Sequence, residues 1–402
     1  MRKILYVLSG NLSTTPRALQ SILLAKQFYE VDIVAINRNK VWEEIDNKLV
    51  TENKFNYKLY SLTRKPFIKW FFATLINKIC LLLYKFSKKN IKISAYASTK
   101  VAFILNKNLK NKNYDLIIGH SYCSIFPIYN FAKKNKIPFS FDIEDYHSGE
   151  SISNDKYNEI ERRKLLMKTI LPKAKYLTYA SPLIGKYSID LIEKNNLPNH
   201  FLINNSFSQT DFEYFENKSN KIKFVWFSQT INQLRGLELA LPALSKFKNQ
   251  IEITLLGNLS QQFYDNFLYQ FKDFVKIEKP LIQKELHKKL CEFDIGLAIE
   301  ISNTDTNKDI ALSNKIFAYS QAGLYVLATD TQAQKLFISE NQNLGIIAKQ
   351  TIEDFEIKIE NIIQKITELR KQKLERYKYS KKLSFENESF KLSEIWKNIF
   401  IT

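Results

Sequence analysis

The chain has only three cysteines in 402 residues, Cys80, Cys123 and Cys291, odd in number and far apart. That usage excludes a disulfide framework and a paired-cysteine metal site, and it points to a reducing compartment. Nine glycines and nine prolines exclude collagen-like and linker-dominated chains. Four histidines are present, with no His-x-x-x-His or Cys–His spacing, so there is no zinc signature. No Asp-x-Asp pair follows a strand-like run, and no dedicated catalytic metal is expected. The opening MRKILYVLSG turns polar too soon for a signal peptide. No apolar run approaches the roughly 18–20 residues that span a bilayer. Zinc-finger spacing, an RNP-type aromatic motif and a basic region joined to a heptad zipper are also missing, so nucleic acid is not an expected partner.

Positive charge is plentiful. Lys and Arg number 60 against 41 Asp and Glu, a net charge of +19. Such an excess favours phosphorylated small molecules or anionic lipid as partners. A lysine-rich solvated surface is the plainer alternative. Hydrophobic residues make up 45%, enough for a folded protein, and the length suggests two domains.

Twelve short apolar runs recur with helical stretches between them. Six lie at 3–9, 31–36, 114–120, 139–143, 176–181 and 200–205, and six at 223–229, 251–257, 275–280, 295–299, 324–330 and 344–349. Most are continuous rather than alternating, as in parallel strands covered by helices on both faces. The fold class expected is α/β with two Rossmann-like, doubly wound domains, split at the polar stretch 206–221. The N-terminal domain is placed at 1–210 and the C-terminal one at 221–375, with 376–402 a closing helical region.

Ligands of open α/β sheets bind beyond the carboxyl ends of the strands. Several runs stop there in polar groups: Ser9, His120, Ser181, Ser228–Gln229, and the cluster Asp142, Glu144 and Asp145 in FSFDIEDYHSGE (139–150), which ends with His147 close by. Carboxylates are rarely placed against an apolar run unless paired or used; pairing with lysines or capping the next helix is the plainer option. In SNKIFAYSQAGLYVLATD (313–330), Ser313 is a good N-cap. The free N–H groups of Asn314, Lys315 and Ile316 would form an anion site with the charge of Lys315. Arg235, before the helix that starts near Gly236, could clamp a diphosphate. A capped helix and a surface arginine remain as alternatives. The segment 65–89 is apolar on one helical face, with Thr74, Asn77, Lys78 and Lys85 on the other. Trp70, Phe71 and the flanking lysines suit a helix lying in the headgroup region of an anionic membrane, against the alternative of a core helix.

Taken in order, NLSTTPRALQSILLAKQFYEVDIVAI, YDLIIGHSYCSIFPIYNFAKKNKIPFSFDIEDYHSGE, SQTINQLRGLELAL, LSNKIFAYSQAGLYVLATD and SFENESFKLSEIWKNIF resemble glycosyltransferases of the GT-B fold, close to glycosyltransferase family 4. The resemblance covers nearly the whole chain. It implies two Rossmann-like domains facing across a cleft, with the closing helix returning to the first. It implies transfer of a sugar from a nucleotide diphosphate sugar to a glycan or lipid-linked acceptor, with retention, without a bound metal or cofactor. The setting expected is cell-surface polysaccharide or glycoconjugate synthesis, and the cysteine usage together with the segment 65–89 gives the location expected: cytoplasmic and peripheral at the inner face of the membrane. Donor contacts would come from Gln229, Arg235, Ser313, Asn314 and Lys315. Gly10, Arg17 and His120 would lie on the acceptor side, with Glu144, His147 and Asp142 at the reaction. Gln229 stands where many members have an arginine, Ala318 where a glutamate holds the donor ribose, and Glu144 where a histidine faces the reacting sugar. These departures leave open a catalytically weak GT-B scaffold acting as a partner subunit.

Overall fold

The computed structural model describes residues 1–64, 66–110, 113–152, 158–302 and 305–401. The chain divides into two compact units, Met1–Ile203 with Lys391–Thr402, and Asn204–Phe390. In the first, seven strands form one sheet: β1 (Lys3–Leu8), β2 (Glu30–Asn37), β3 (Asn56–Ser61), β4 (Leu116–His120), β5 (Phe139–Ile143), β6 (Tyr176–Tyr179) and β7 (Asn199–Leu202), in the order β3-β2-β1-β4-β5-β6-β7. The second holds six: β8 (Ile222–Ile231), β9 (Ile251–Leu259), β10 (Val275–Glu278), β11 (Ile295–Ala298), β12 (Tyr325–Thr329) and β13 (Gly345–Ala348), ordered β10-β9-β8-β11-β12-β13. Every pairing in both sheets is parallel.

All twelve expected runs are strands. The thirteenth, β3, escaped because its sequence NYKLYS places polar Asn56 and Lys58 between half-buried residues. It pairs with β2 alone, at the sheet edge, and none of its six residues is buried. The unit boundary falls at Ile203/Asn204, earlier than residue 210. Residues 376–390 also count with the second unit, where Arg376 donates to the carbonyls of Gly323 and Leu369 and the Phe385 N–H to Phe207.

In each sheet the strand order reverses next to its first strand, between β1 and β4 and between β8 and β11. Those are the switch points at which open sheets take ligands. The first core packs Ile4, Tyr6 and Leu8 of β1 against Ala18, Ile22 and Ala25 of the helix Pro16–Ala25, and against Leu392, Ile395 and Trp396 near the chain end. Pro16 opens that helix, where its missing N–H costs nothing. Trp396 is fully buried, and its indole N–H donates to Tyr176 Oη at 2.8 Å. The second core packs β8, β9 and β11 against the helices Leu237–Ser245 and Ile352–Gln364.

Trp396 is therefore a keystone of the first unit. Trp396→Ala is expected to destabilise that unit by about 3–5 kcal/mol, through lost burial and an empty cavity. Urea unfolding monitored by circular dichroism measures this; a change below about 1 kcal/mol would show that the closing segment is dispensable.

Candidate functional site

The first-unit switch point is built around a buried carboxylate. Asp142, in β5, receives Arg17 Nε at 2.6 Å and Nη2 at 2.8 Å, the two-pronged geometry that guanidinium offers a carboxylate. Thr178 Oγ1 of β6 also donates to it. Arg17 comes from the helix Pro16–Ala25 and also donates to the Ile203 carbonyl. His120 ends β4 with Nδ1 at 3.2 Å from Asp142 Oδ2 and 3.1 Å from Glu144 Oε1. Its ring stacks on Tyr6, with centroids 5.9 Å apart.

These contacts fix the charges. Burial alone would pull the His120 imidazole down, but hydrogen bonds to Asp142 and Glu144, and their charges, outweigh it and raise it to about 9. Burial opposes ionisation of Asp142, yet the charge of Arg17 and the bond to His120 hold it far below the usual carboxylate range. Asp142 is thus held as an anion by Arg17, Thr178 and His120, and it anchors the site. His120 is an imidazolium whose buried Nε2 has no hydrogen-bond partner among the described residues. A buried donor without a partner calls for a ligand or a water.

His120, Asp142 and Glu144 offer three ligand atoms within 4.8 Å of one another. They do not fit a cation well. A shared Nδ1 proton and the Arg17 guanidinium already meet the two carboxylates, and a metal would have to displace a positive charge that they hold in place.

His147 is held by other contacts. Its Nδ1 pairs with Glu150 Oε1 at 2.9 Å, and Arg163 donates to its carbonyl at 2.8 Å while pairing with Glu150. Arg163 also lies over the Tyr122 ring, 5.1 Å from its centroid. His147 Nε2 is likewise buried without a partner among the described residues. Ser181 caps the next helix by accepting from the Ile184 N–H, a structural task.

The loop after β1 is positioned by a residue that sequence reading missed. Asp46, fully buried on the helix Lys40–Asn53, accepts from Asn11 Nδ2 (3.0 Å), the Leu12 N–H (3.0 Å), the Ser13 N–H (2.8 Å), Ser13 Oγ (2.6 Å) and the Tyr57 hydroxyl. Its signal was available: Asp46 sits four residues from both Trp42 and Val50, on the apolar stripe rather than the polar face. Gly10 precedes that loop. A Cβ there would lie 3.4 Å from both Arg38 Nε and Thr14 Oγ1, an ordinary contact distance, so the exposed Arg38 lies beside this backbone without requiring the glycine. Arg38 was also missed; it donates to the Ser9 carbonyl at 3.3 Å.

In the second unit, β8 carries a register shift between Phe227 and Thr230, which re-aims Ser228 and Gln229 at its carboxyl end. Gly257 of β9 makes this possible, since a Cβ there would come within 2.4 Å of the Ser228 carbonyl oxygen. Gln229 is exposed and its carbonyl accepts from Asn258 Nδ2. Arg235 is exposed, without a partner among the described residues, on the turn before Gly236. Gly236 has φ of 84°, and a Cβ there would meet Ile299 Cγ2 at 2.1 Å. That turn therefore presses on the segment beyond β11. From the same segment Glu300 Oε1 pairs with Lys315 Nζ at 2.7 Å, and Lys315 Nζ lies 5.9 Å from the Trp226 ring centroid. The Arg235 turn and the start of the helix Asn314–Gln321 are thus brought to one place, at the β8/β11 switch point.

Ser313 precedes that helix in extended conformation without a side-chain cap bond, and its buried hydroxyl has no partner among the described residues. Asn314 is exposed. The Ile316 N–H, expected to be free, bonds the Ser313 carbonyl at 3.2 Å. Lys315 is not a free cation, being tied to Glu300. Ala318 is fully buried.

The helix Phe67–Tyr84 packs with its polarity inverted. Asn77 Nδ2 donates to the Tyr96 and Ala97 carbonyls (2.6 and 3.0 Å), the unpaired last carbonyls of the helix Ile91–Ser98. Ala73, Cys80 and Tyr84 are buried beside it, while Ile68 (69% exposed), Phe71, Phe72, Leu75, Ile79, Leu82 (61%), Leu83 and, just beyond, Phe86 (88%) face outward. Trp70 is held between the cations of Arg64 and Lys100, and Lys78 and Lys85 are exposed. Lys65 lies outside the described residues. The expectation of no sufficiently long apolar run is corrected: these 18 residues, with a mean hydropathy of 1.5, are long and apolar enough to cross a membrane by length and composition. Only 17% of them are buried, so the alternative of a core helix fails.

Comparison with known proteins follows the fold. No protein family and no curated protein matches the sequence. Solved structures do match. HepE of Anabaena, solved with UDP, is similar at a TM-score of 0.66 and 12% identity, over 99% of this chain and 100% of that one. Sucrose-phosphate synthase from Thermosynechococcus elongatus gives 0.67 and 11%, with both chains fully covered. TarM of S. aureus, solved with UDP and alpha-GlcNAc-glycerol, gives 0.64 and 13%, again with both fully covered. The two units thus have the GT-B fold.

The raised imidazole has a consequence for stability. With its folded value about 9 against about 6.5 for a free histidine, His120 adds stability below the lower value and loses it as pH rises through the upper. Unfolding midpoints of wild type and His120→Gln are expected to differ most near pH 6 and to converge by about pH 10. A gap that stays constant or widens with pH would overturn the charged assignment.

Proposed function

We propose that the protein is a glycosyltransferase that moves a sugar from a nucleotide diphosphate sugar to a glycan or lipid-linked acceptor in the synthesis of a cell-surface polysaccharide or glycoconjugate. The carrying observation is the β8/β11 switch point, where the uncommitted Arg235, the helix start at Ser313–Lys315 and a buried unpartnered hydroxyl converge. Helix N–H groups and a guanidinium are the groups that bind diphosphate oxygens. HepE and TarM, both solved with UDP, support uridine diphosphate as the first donor nucleotide to test.

In this reading Arg235 clamps the diphosphate, and Lys315, oriented by Glu300, adds charge where the leaving group develops its own. No metal or cofactor is required of the chain, and transfer proceeds with retention, as in the enzymes it resembles. The His120 imidazolium offers its Nε2 proton to a sugar oxygen. Glu144 has Oε1 tied to His120 while Oε2 is uncommitted among the described residues, and it takes the acceptor hydroxyl as its hydrogen-bond partner. His147 Nε2 is the second candidate for that task.

The experiment is turnover of UDP-sugars with binding measured in parallel. Arg235→Ala is expected to weaken UDP binding at least about tenfold while changing uridine binding little. Glu144→Gln is expected to lower kcat by about 10²-fold at saturating donor. Equal losses for UDP and uridine would remove Arg235 from the phosphates. No turnover of any nucleotide sugar, with UDP still bound, would favour the scaffold reading.

The protein works, on this proposal, peripherally at the cytoplasmic face of an anionic membrane. Between Glu52 and Asp115 the sequence holds fourteen Lys and Arg and no acidic residue, and this stretch contains the outward apolar helix. Apolar area plus basic charge is the combination that binds anionic bilayers. The bonds of Asn77 keep the helix lying along the unit rather than crossing. Vesicle flotation is expected to show binding to vesicles with anionic lipid, weakened by salt, and strongly reduced in Leu82→Asp/Phe86→Asp. Equal flotation of wild type and variant would remove the helix from that role.

A further inference from the structure

A cavity of about 440 Å³ opens beside the start of the outward helix, within the ~300–1,000 Å³ range of small-molecule sites. Its walls are Leu59, Ile68, Phe72, Phe103 and Ile104. Lys69 and Lys107 also line it and are exposed, as are Ile68 and Phe72, whereas Leu59 and Phe103 are half-buried and Ile104 is buried, so the cations lie at the mouth and the floor is formed by Leu59, Phe103 and Ile104. Neither lysine has an acidic partner among the described residues, and none could come from the stretch between Glu52 and Asp115. Ile68 and Phe72 contribute both to the cavity and to the exposed apolar face. An occupant can therefore enter sideways from a bilayer on which that face rests.

We infer that this cavity holds the apolar chain of a lipid-linked acceptor, with the phosphate of that lipid on Lys69 and Lys107. The charge pattern selects the occupant: an apolar tail for the floor and an anionic head for two unpaired cations at the rim. Its place in the sheet selects the acceptor rather than bulk phospholipid. Tyr60 and Ser61, in the cavity wall, end β3 on the same carboxyl edge as the Gly10 loop after β1 and His120 at the end of β4. With strands ~4.8 Å apart, β3 lies roughly 10 Å from β1 and 14 Å from β4. That gap suits a sugar or short glycan joined through phosphate to the chain in the cavity. The inference rests on the glycosyltransferase reading and gives it an acceptor class: a phosphate-headed lipid carrying a sugar.

The test uses the whole protein with farnesyl phosphate as probe, and farnesol, inorganic phosphate and phosphatidylglycerol nanodiscs as comparisons, in isothermal titration. Farnesyl phosphate is expected to bind at least about tenfold more tightly than farnesol or inorganic phosphate. Lys69→Glu/Lys107→Glu is expected to lose about tenfold or more of that affinity, and the cavity-filling Leu59→Trp to lose it too, both with UDP binding unchanged as the folding control. Unchanged binding in both variants would overturn the site. Displacement of farnesyl phosphate by the nanodiscs at equal lipid concentration would assign it to bulk anionic lipid and overturn the acceptor role. UDP-sugar turnover separates the two readings. Turnover retained while farnesyl phosphate is ignored sinks the cavity alone. Farnesyl phosphate bound while no nucleotide sugar is turned over sinks the glycosyltransferase reading, and the acceptor role with it.

Discussion

The Asp142 carboxylate is buried at the end of β5 and must be paired, because an unpaired charge in that position would cost several kcal/mol. Its partners come from widely separated parts of the first unit: Arg17 from the first helix, His120 from β4, Thr178 from β6. Meeting them fixes the register of the first helix against β5 and β6 and holds the Ile203 carbonyl, just after β7, through the same guanidinium. It also sets the charge of His120, and through it the orientation of Glu144. A constraint that begins as electrostatic necessity thus ends by placing the groups that face a ligand.

The two switch points handle charge differently. In the first unit the cations Arg17 and His120 are consumed by internal carboxylates, and what remains for a ligand is directional: an imidazole N–H and one carboxylate oxygen with no partner among the described residues. In the second unit Lys315 is partly consumed by Glu300, but Arg235 is left on a turn with its charge uncommitted. Each unit thus keeps a different kind of group for a ligand: a buried donor beside a carboxylate in the first, an exposed guanidinium in the second.

The strands were legible where burial makes a run largely apolar, and β3 was not, because none of its residues is buried and polar Asn56 and Lys58 interrupt it. The acidic cluster was legible as a strand end. Which of its carboxylates was committed was not, since that depends on Arg17, 125 positions away in sequence. Asp46 hid among other acids on a helix that looks like an ordinary surface element, and only its place on the Trp42–Val50 stripe set it apart. For the helix Phe67–Tyr84 the two faces could be read from the sequence, but which one meets the protein could not. Asn77 turns inward because two helix-end carbonyls need a donor, a demand set by residues about twenty positions later.

On the membrane-bound reading proposed above, that inverted helix changes the meaning of concentration for this protein. A chain held by its apolar side meets an acceptor confined to the same plane, so encounters depend on molecules per unit area rather than per litre. Turnover would then follow the mole fraction of acceptor in the lipid. Diluting the membrane with inert lipid would slow it at constant total acceptor, and adding buffer would not.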